Sequence, residues 1–411
     1  MSDLKYNPFQ PNSIINPGMF VGRIDEIRAI ERCIFQSING NPQHFLIQGE
    51  RGIGKSSLLY YIERIAEGKI EPLIGGKFSL LTISIDLGGC NSQIDIIRKI
   101  GRALKSSLSG MDVVKSSAKK AWDWLSGWEV LGVRYHKDQT ELDPEELCEE
   151  LVGIIASISA SASDKIDGIL LLIDEADRPT SDAGLGELLK SLTERLARSD
   201  CSKFLIGLAA LPTILGKLRE SHESSPRLFH TMLLEPLSTD ERKKVVTISL
   251  DVANKKNAEK TEISNDGLDL LADLSEGYPH FIQQFSYCAF EKDENNIIDA
   301  EDVRNGAFDE GGALAQLGDK FFNDMYHARI SSEDYRRVLD AMASHGDEWV
   351  NRQTIIRESG VSESNVNNAF LALKAKQIIL QDETRRGVYR LPTRSFAAWI
   401  NAIRSARDGG L

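Results

Sequence analysis

Apolar residues in the first 240 positions form short continuous runs and longer stretches in which they recur every three or four residues. The short runs predict strands, and the longer stretches predict helices. The predicted strands lie in His44–Gln48, Leu80–Asp86, Gly168–Asp177, Phe204–Ala209 and Thr231–Leu237. Because helical stretches separate these runs, the pattern indicates an α/β domain with a parallel sheet in three layers.

The pattern changes after Ser331. Three helical stretches follow, Ser332–Gly346, Asn351–Gly360 and Val361–Lys376, and a β-hairpin is predicted in Gln377–Pro392 with its turn near Arg386–Gly387. In the third helix, Val366, Phe370 and Leu373 recur at i, i+4 and i+7, which places them on the core-facing side. Ser364 and Asn368 then face outward, flanked by Asn365.

A glycine-rich segment, GERGIGKSS, joins the first predicted strand to a helical stretch. Gly49, Gly52 and Gly54 allow positive φ, so that successive amides can converge on an anion. The helix that follows adds the partial positive charge of its N-terminus. Lys55 is expected to be exposed until it contacts the β- and γ-phosphates, and the Ser56 hydroxyl is expected to bind Mg²⁺. The predicted phosphate-binding residues are Gly49, Glu50, Arg51, Gly52, Ile53, Gly54, Lys55, Ser56 and Ser57.

A second motif supports a phosphate site. The run Gly168–Asp177 is apolar on both faces, which suits a central strand of a parallel sheet, and it ends in acidic residues. Acids at the carboxyl edge of such a sheet lie where α/β proteins bind ligands. Asp174 is predicted to hold Mg²⁺ through water, and Glu175 is predicted to orient and polarise the attacking water.

These motifs, with MFVGRIDEI at Met19–Ile27, resemble those of AAA+-type P-loop ATPases. The pattern is most similar to initiator (origin-recognition) ATPases and to STAND-like signalling ATPases. The resemblance implies that the backbone of Val21 and Gly22 lines an adenine pocket, and that the cofactors are ATP and Mg²⁺. It also implies a P-loop ATPase core at 1–237, a small all-α lid at 238–325 and a C-terminal winged helix at 326–411.

Three later positions bear on the activity that the resemblance implies. The family places a polar sensor where this chain has Leu208, Ala209, Ala210 and Leu211, so we expect slow hydrolysis. Arg227 matches the position of an arginine that reaches the neighbouring subunit's γ-phosphate, but a solvated surface arginine is an equal alternative. His280 follows the lid's GxP motif, Gly277–Pro279. It is predicted either to contact phosphate or to pack in an ordinary way at a helix start.

Charge separates the two ends of the chain. The net charge is −12 over 411 residues, which argues against a general nucleic-acid coat. Residues 326–411 are nevertheless basic, with 13 Lys and Arg against 10 Asp and Glu. The winged helix is predicted to contact duplex DNA through Asn365, Asn368, Arg385, Arg386 and Arg390. A protein-contact module or a lid is the alternative.

Other composition features limit the function classes. The five cysteines are far apart and form no CxxC pair, which disfavours zinc and disulfides and fits a reducing cytoplasm. No apolar run reaches the roughly 20 residues that span a bilayer, so no membrane partner is expected. A Trp-rich insert at about 112–142, with Trp122, Trp124 and Trp128, indicates either a local hydrophobic core or a contact with a protein partner.

Two functions follow from these observations. The first is a nucleic-acid-associated ATPase of initiator, transposition or mobile-element-defence type, acting as a homo-oligomer. The second is a signalling or scaffold switch whose winged helix binds protein and which hydrolyses ATP slowly or not at all.

Overall fold

The computed structural model describes residues 5–109, 143–376, 378–382 and 384–408. The chain divides into two compact units. Residues 14–235 form the sheet unit, and residues 236–411 with residues 1–13 form the helical unit. The Trp-rich insert at about 112–142, and the partner contact proposed for it, lie outside the described residues.

The sheet unit is built on five parallel strands: β1 (His44–Gln48), β2 (Leu80–Asp86), β3 (Gly168–Asp174), β4 (Phe204–Ala210) and β5 (Phe229–Leu233). Their order in the sheet is β2–β3–β4–β1–β5. This confirms the predicted α/β class and the parallel sheet.

The fifth strand begins and ends earlier than the sequence indicates. We predicted it at Thr231–Leu237, but it pairs with β1 from His44 opposite Phe229 to Gln48 opposite Leu233. The reason is the length of β1, since pairing ends where β1 enters the glycine-rich loop. The apolar residues that follow, Leu234 and Leu237, are buried without belonging to the strand.

Helices cover both faces of this sheet. They are α1 (Ile24–Ile38), α2 (Lys55–Ala66), α3 (Gln93–Ser109), α4 (Pro144–Ser161), α5 (Leu185–Arg198) and α6 (Ile214–Ser221). Alternate residues of β3, namely Ile169, Leu171 and Ile173, join one hydrophobic cluster with α3, α4 and α5, whereas Leu170 and Leu172 are buried on the other face. Helices α1 and α2 contact β1, β3 and β4.

The helical unit begins with a group of helices around a short parallel pair, β6 (Glu262–Ile263) and β7 (Ile297–Ile298). Two π-helical segments follow, Gly318–Phe322 and Asp324–Ala328. The helices of this region are α7 (Thr239–Ala253), α8 (Asn265–Leu274), α9 (Pro279–Lys292), α10 (Ala300–Phe308) and α11 (Ala313–Leu317).

The C-terminal part contains helices and short strands where the sequence predicts a winged helix. Strand β10 (Val388–Arg390) pairs antiparallel with both β8 (Val350–Asn351) and β9 (Leu380–Gln381). Val366, Phe370 and Leu373 are buried, while Ser364 and Asn368 are exposed, as their spacing predicts. The helices are α12 (Glu333–Ala343), α13 (Arg352–Ser359), α14 (Glu363–Ala375) and α15 (Arg394–Asp408). Within the described ranges, no helix has both the length and the apolar character needed to cross a bilayer.

Candidate nucleotide site

The glycine-rich loop runs from the end of β1 to the start of α2. Gly52 and Gly54 adopt φ of 81° and 99°, as expected for a loop whose amides converge. Gly49 does not adopt positive φ. Gly49 is required for space instead, because a Cβ there would lie 2.7 Å from Ile53 Cγ2 and 3.3 Å from Leu234 Cβ.

Lys55 begins α2 and folds back over the loop. Its ammonium donates to the carbonyl oxygens of Gly49 at 2.8 Å and Glu50 at 2.9 Å. Burial lowers the pKa of Lys55, and the nearby carboxylates of Asp177 and Asp174 oppose that shift. The expectation of an exposed ammonium is therefore wrong, because the loop carbonyls provide it with acceptors.

The first turn of α2 presents backbone donors to the loop. Its N-cap is Gly54, which offers no side chain to accept from the first amides. Ser56 and Ser57 are half-buried, and the Ser57 hydroxyl accepts from the Ile15 amide at 3.5 Å. Arg51 is exposed at the tip of the loop. Such a helix start, with a lysine beside it, suits an anion.

The Gly22–Arg23 box is tied directly to this loop. Gly22 and Arg23 both adopt positive φ, 76° and 61°, immediately before α1. The buried Arg23 guanidinium donates to the Ile53 carbonyl at 3.3 Å. Val21 is buried beside the box. Sequence reasoning assigned only the backbone of this box a role and missed the Arg23 side chain, because no spacing rule links position 23 to position 53.

The acids after β3 occupy the carboxyl edge of the sheet. Asp174 accepts from the Glu175 amide at 2.8 Å, and Glu175 has a φ of 49°, which is uncommon for a residue other than glycine. Both Glu175 carboxylate oxygens are bound by Arg178. Oε1 accepts from Nη2, and Oε2 lies beside Nε, each at 3.1 Å.

The Asp177 side chain contacts the end of β4, the strand beside β3. Its Oδ1 accepts from the Leu211 amide at 2.8 Å, directly after β4, and its carbonyl accepts from Lys217. The positions expected to hold a polar sensor, Leu208, Ala209 and Ala210, are fully buried apolar residues of β4. The polar group at the end of β4 is thus supplied by Asp177, a residue from the neighbouring strand's loop.

Residues 19–206 match the family model described as the AAA ATPase domain. That range contains the Gly22–Arg23 box, the glycine-rich loop and the acids after β3. These residues form an AAA ATPase domain. The family assignment agrees with the resemblance drawn from the sequence motifs.

Similarity to individual proteins extends over more of the chain than the AAA ATPase domain. An uncharacterised HTH-type transcriptional regulator of Methanocaldococcus jannaschii is 25% identical over 296 residues, which are 68% of this chain. The chain spans 65% of that relative's length, less than two thirds.

Two solved structures share the fold. The ORC2 protein of Aeropyrum pernix, in ADPNP-ADP complexes, has a TM-score of 0.60 at 14% identity. The match covers 98% of this chain and 99% of the ORC2 chain. A Walker-type ATPase of Pyrococcus abyssi has a TM-score of 0.58 at 15% identity, covering 93% and 96% respectively.

Arg227 lies at the opposite end of the sheet from the loop of the AAA ATPase domain. It belongs to a 3₁₀ turn, Ser225–Leu228, that precedes the edge strand β5. Because β5 runs parallel to β1, the start of β5 and the end of β1 are separated by about 16 Å of strand. Arg227 is exposed, and its side chain has no hydrogen bond or ion pair among residues 5–109 and 143–408 that are described.

His280 belongs to the helical unit rather than to the AAA ATPase domain. It is the second residue of α9 and stacks on Phe321, with ring centroids 6.0 Å apart. Burial lowers the pKa of His280. Its predicted contact with phosphate stays a prediction.

The residues predicted to contact DNA differ in how they are held. Asn365 donates to Asp334 at 2.7 Å, and the Arg385 Nε donates to Asp382 at 2.7 Å. The Arg390 guanidinium lies 5.0 Å from the centre of the Trp349 indole ring. Asn368 and Arg386 are exposed, and neither side chain has a hydrogen bond or ion pair within the described part of the chain.

Proposed function

We propose that this chain binds ATP with Mg²⁺ at the loop of residues 49–54 and hydrolyses it slowly. The observation that carries the proposal is the loop itself, in which Gly52 and Gly54 have positive φ and lead into the uncapped start of α2. Lys55 begins α2, and Asp174 ends β3, a strand that α2 contacts. A triphosphate with Mg²⁺ requires converging amides, a cation and a carboxylate of this kind.

The residues take separate parts in this proposal. The loop amides and Lys55 bind the phosphates, Ser56 and Asp174 hold Mg²⁺, and the backbone of Val21 and Gly22 contacts adenine. When bound, Mg²⁺ neutralises charge on the β- and γ-phosphates. Arg23 keeps the box and the loop together through the Ile53 carbonyl.

The lysine provides the first test. Lys55→Ala should abolish ATP binding and leave the unfolding temperature within a few degrees of wild type, because among the described residues the Lys55 ammonium donates to two loop carbonyls and to no other group. Isothermal titration calorimetry with ATP and Mg²⁺ measures the affinity. Lys69→Ala is the matched control, since Lys69 is an exposed lysine paired with Glu67 beyond the end of α2. Equal affinity in Lys55→Ala and wild type would exclude the proposed site.

We further propose that the chain acts on duplex DNA through residues 326–411, as a winged helix. Three facts support this: the basic charge of that region, the exposed Arg386 and Asn368, and the name of the Methanocaldococcus relative, an HTH-type transcriptional regulator. Fluorescence anisotropy with a labelled duplex, with and without ATP, tests the proposal. Absence of binding at low salt in both conditions rejects it.

A protein-binding nucleotide switch is the second candidate. Two contacts favour it: Asn365 donates a hydrogen bond to Asp334, and Arg385 forms an ion pair with Asp382. Fewer groups are then available to DNA than the sequence suggests. A chain that binds no DNA and retains ADP through gel filtration would establish this candidate over the first.

A further inference from the structure

A buried carboxylate holds the loop that joins α2 to β2. Glu31 of α1 is fully buried, and its two carboxylate oxygens accept from the amides of Leu73 at 2.8 Å and Ile74 at 3.1 Å. Burying a carboxylate costs free energy unless it is hydrogen-bonded, so the two bonds and the burial depend on each other. The backbone of this loop is therefore fixed against α1.

The same loop turns two large apolar side chains outward. Leu73 and Ile74 are the central residues of a turn in which the Gly75 amide donates to the Pro72 carbonyl at 3.0 Å. Pro72 is buried, whereas Leu73 and Ile74 are 44% and 43% exposed. Glycine, proline, asparagine, aspartate and serine dominate such turns, so two adjacent aliphatic residues at its centre are unusual.

Phe35 extends this apolar surface. It lies one turn after Glu31 on the same face of α1, where Cβ atoms are about 5–6 Å apart, and it is 49% exposed. We define the apolar patch as Phe35, Leu73 and Ile74. It contains three of the ten large apolar side chains that are exposed in the described part of the chain. Exposed apolar residues that are grouped, rather than scattered singly, indicate an interaction site.

The apolar patch lies at the amino end of the strands. Helix α1 ends at Ile38, a few residues before β1 begins, and the loop after α2 leads into the start of β2. The glycine-rich loop and the acids after β3 follow the ends of their strands, at the opposite side of the sheet. Binding at the patch is therefore separate from the candidate nucleotide site and does not depend on the proposed binding of ATP.

The charged side chains around the patch indicate the chemistry of its partner. Arg28 and Arg32 on α1 and Lys77 after the turn are exposed, and none has an ion pair within the described residues. Glu71, exposed in the same loop, opposes them with a single negative charge. This surface is therefore locally positive on a chain whose net charge is −12. Charge complementarity favours a partner with acidic side chains.

Two other occupants fit this charge less well. In a two-fold dimer the same surface meets itself, so the three cations of one copy would face the same three cations of the other. An anionic membrane would repel a chain with an overall charge of −12. A short acidic segment of another protein meets neither obstacle.

We propose that the apolar patch is a docking site for a segment of another protein in which apolar residues are flanked by Asp and Glu. The apolar side chains of that segment cover the patch, and its carboxylates pair with the cations of α1 and the loop. Because Glu31 already fixes the loop, little backbone freedom is lost on the side of this chain when the segment binds.

Selection from a phage-displayed library of random peptides, with the full chain immobilised, tests the proposal. Enriched peptides should combine several apolar residues with Asp or Glu. A labelled peptide of the most enriched sequence should bind in fluorescence anisotropy, and its affinity should fall as salt rises. The double variant Leu73→Ser, Ile74→Ser should weaken this binding about tenfold or more, because two apolar side chains are no longer covered. Its unfolding temperature should match wild type, since both side chains are exposed.

Two further variants separate packing from charge. Leu233→Ser is the matched control, since Leu233 is 54% exposed on β5 of the same unit but outside the patch, and it should leave peptide affinity unchanged. Arg32→Gln should weaken binding about threefold and reduce its dependence on salt. The double variant of the turn should keep the salt dependence of wild type.

Several outcomes would overturn the proposal. One is a selection that enriches no peptide or enriches peptides without acidic residues, and another is equal affinity in the double variant and wild type. A dimer seen by analytical ultracentrifugation that the double variant loses would assign the patch to a second copy. Co-sedimentation with phosphatidylserine vesicles that the same variant loses would assign it to a membrane. If the double variant unfolds, Phe35→Ser repeats the comparison.

Discussion

At the scale of single residues, unusual backbone conformations mark the motifs of this chain. Among the described residues other than glycine, five have positive φ, and Arg23, Glu175 and Glu276 are three of them. Each belongs to a different motif: the box before α1, the acids after β3 and the predicted lid motif. A residue held in this region costs of the order of 1 kcal/mol or more, so the surrounding contacts must fix it. Arg23 and Glu175 have such contacts in Ile53 and Arg178.

Histidine 44 connects a single residue to the stability of the whole sheet. It is buried at the start of β1, and its Nδ1 accepts from the Ile206 amide of β4 at 3.1 Å. Burial lowers the pKa of His44 from 6.5 to about 4. The neutral ring is therefore the form that the folded sheet requires, because a protonated Nδ1 has no lone pair to accept that amide.

This predicts a loss of stability in mild acid. The unfolded chain binds a proton at His44 below pH 6.5, whereas the folded chain does so only near pH 4. The contribution of neutral His44 to the free energy of unfolding is therefore fully present above pH 6.5 and falls as the pH decreases toward 4. Between pH 7 and 5.5 it falls by about 1 kcal/mol. Urea unfolding at a series of pH values measures it. His44→Gln should flatten that part of the curve, and His230→Gln, at an exposed site on β5, should not.

At the scale of elements, the sequence predicts the parts better than their arrangement. The apolar runs identify β1 to β4, and the glycines with Lys55 identify the loop, because each signal lies within about ten consecutive residues. Strand order is not contained in such local patterns. The contact between Asp177 and the Leu211 amide depends on β4 lying next to β3, and the early end of β5 depends on the length of β1.

The predicted β-hairpin in Gln377–Pro392 shows that local sequence also does not predict the partners of charged side chains. Arg385, Arg386 and Arg390 are close in sequence, and the sequence predicts that all three contact DNA. The structure distinguishes them: Asp382 binds Arg385, Trp349 lies under Arg390, and Arg386 is exposed. Asp382 accepts from Thr384 and Arg385 together, an arrangement that depends on the turn rather than on composition.

Asp382→Asn should therefore strengthen binding to duplex DNA. The change removes the charge that neutralises Arg385 and frees one guanidinium for a phosphate, which steepens the slope of log K against log salt by about 0.9. Arg386→Ala should flatten that slope by a similar amount. Glu333→Gln, which removes the acid paired with Arg336 at 3.2 Å, serves as the control and should leave the slope unchanged. A weaker complex in Asp382→Asn would show that the turn, rather than the freed charge, determines affinity.

At the scale of the whole molecule, the predicted lid and the predicted winged helix fall within one compact unit. Glu276, in the loop that precedes Gly277, accepts from the amides of Arg394 and Ser395 at 2.6 and 2.7 Å and from the Ser395 hydroxyl at 2.8 Å. These bonds join the loop before α9 to the first turn of α15.

Glu276→Ala tests this connection. The substitution removes both acceptor oxygens and their three hydrogen bonds, so two amides at the start of α15 lose their partner. We expect the unfolding free energy to fall by about 1–2 kcal/mol. Amide hydrogen exchange in α15 should be faster in Glu276→Ala than in wild type, and this increase should be larger in α15 than in α8. Glu276→Gln keeps one oxygen acceptor and should lose less stability, while equal exchange rates in Glu276→Ala and wild type would show that α15 is held by other contacts.

Arg227 bears on whether hydrolysis requires two copies of the chain to assemble. It stands at the amino end of β5, with about 16 Å of strand between it and the loop of its own subunit, so a role in hydrolysis requires a neighbouring copy. Arg227→Ala should lower kcat while leaving ATP affinity nearly unchanged. Mixing this variant with Lys55→Ala decides the mechanism, because a Lys55→Ala subunit still offers Arg227 to the intact loop of its neighbour. Partial recovery of activity is expected in mixtures that analytical ultracentrifugation shows to co-assemble.

Arg219→Ala, which alters another arginine of the same unit, should leave kcat unchanged. If co-assembled mixtures do not recover, Arg227 is a solvated surface residue and hydrolysis does not depend on a shared site.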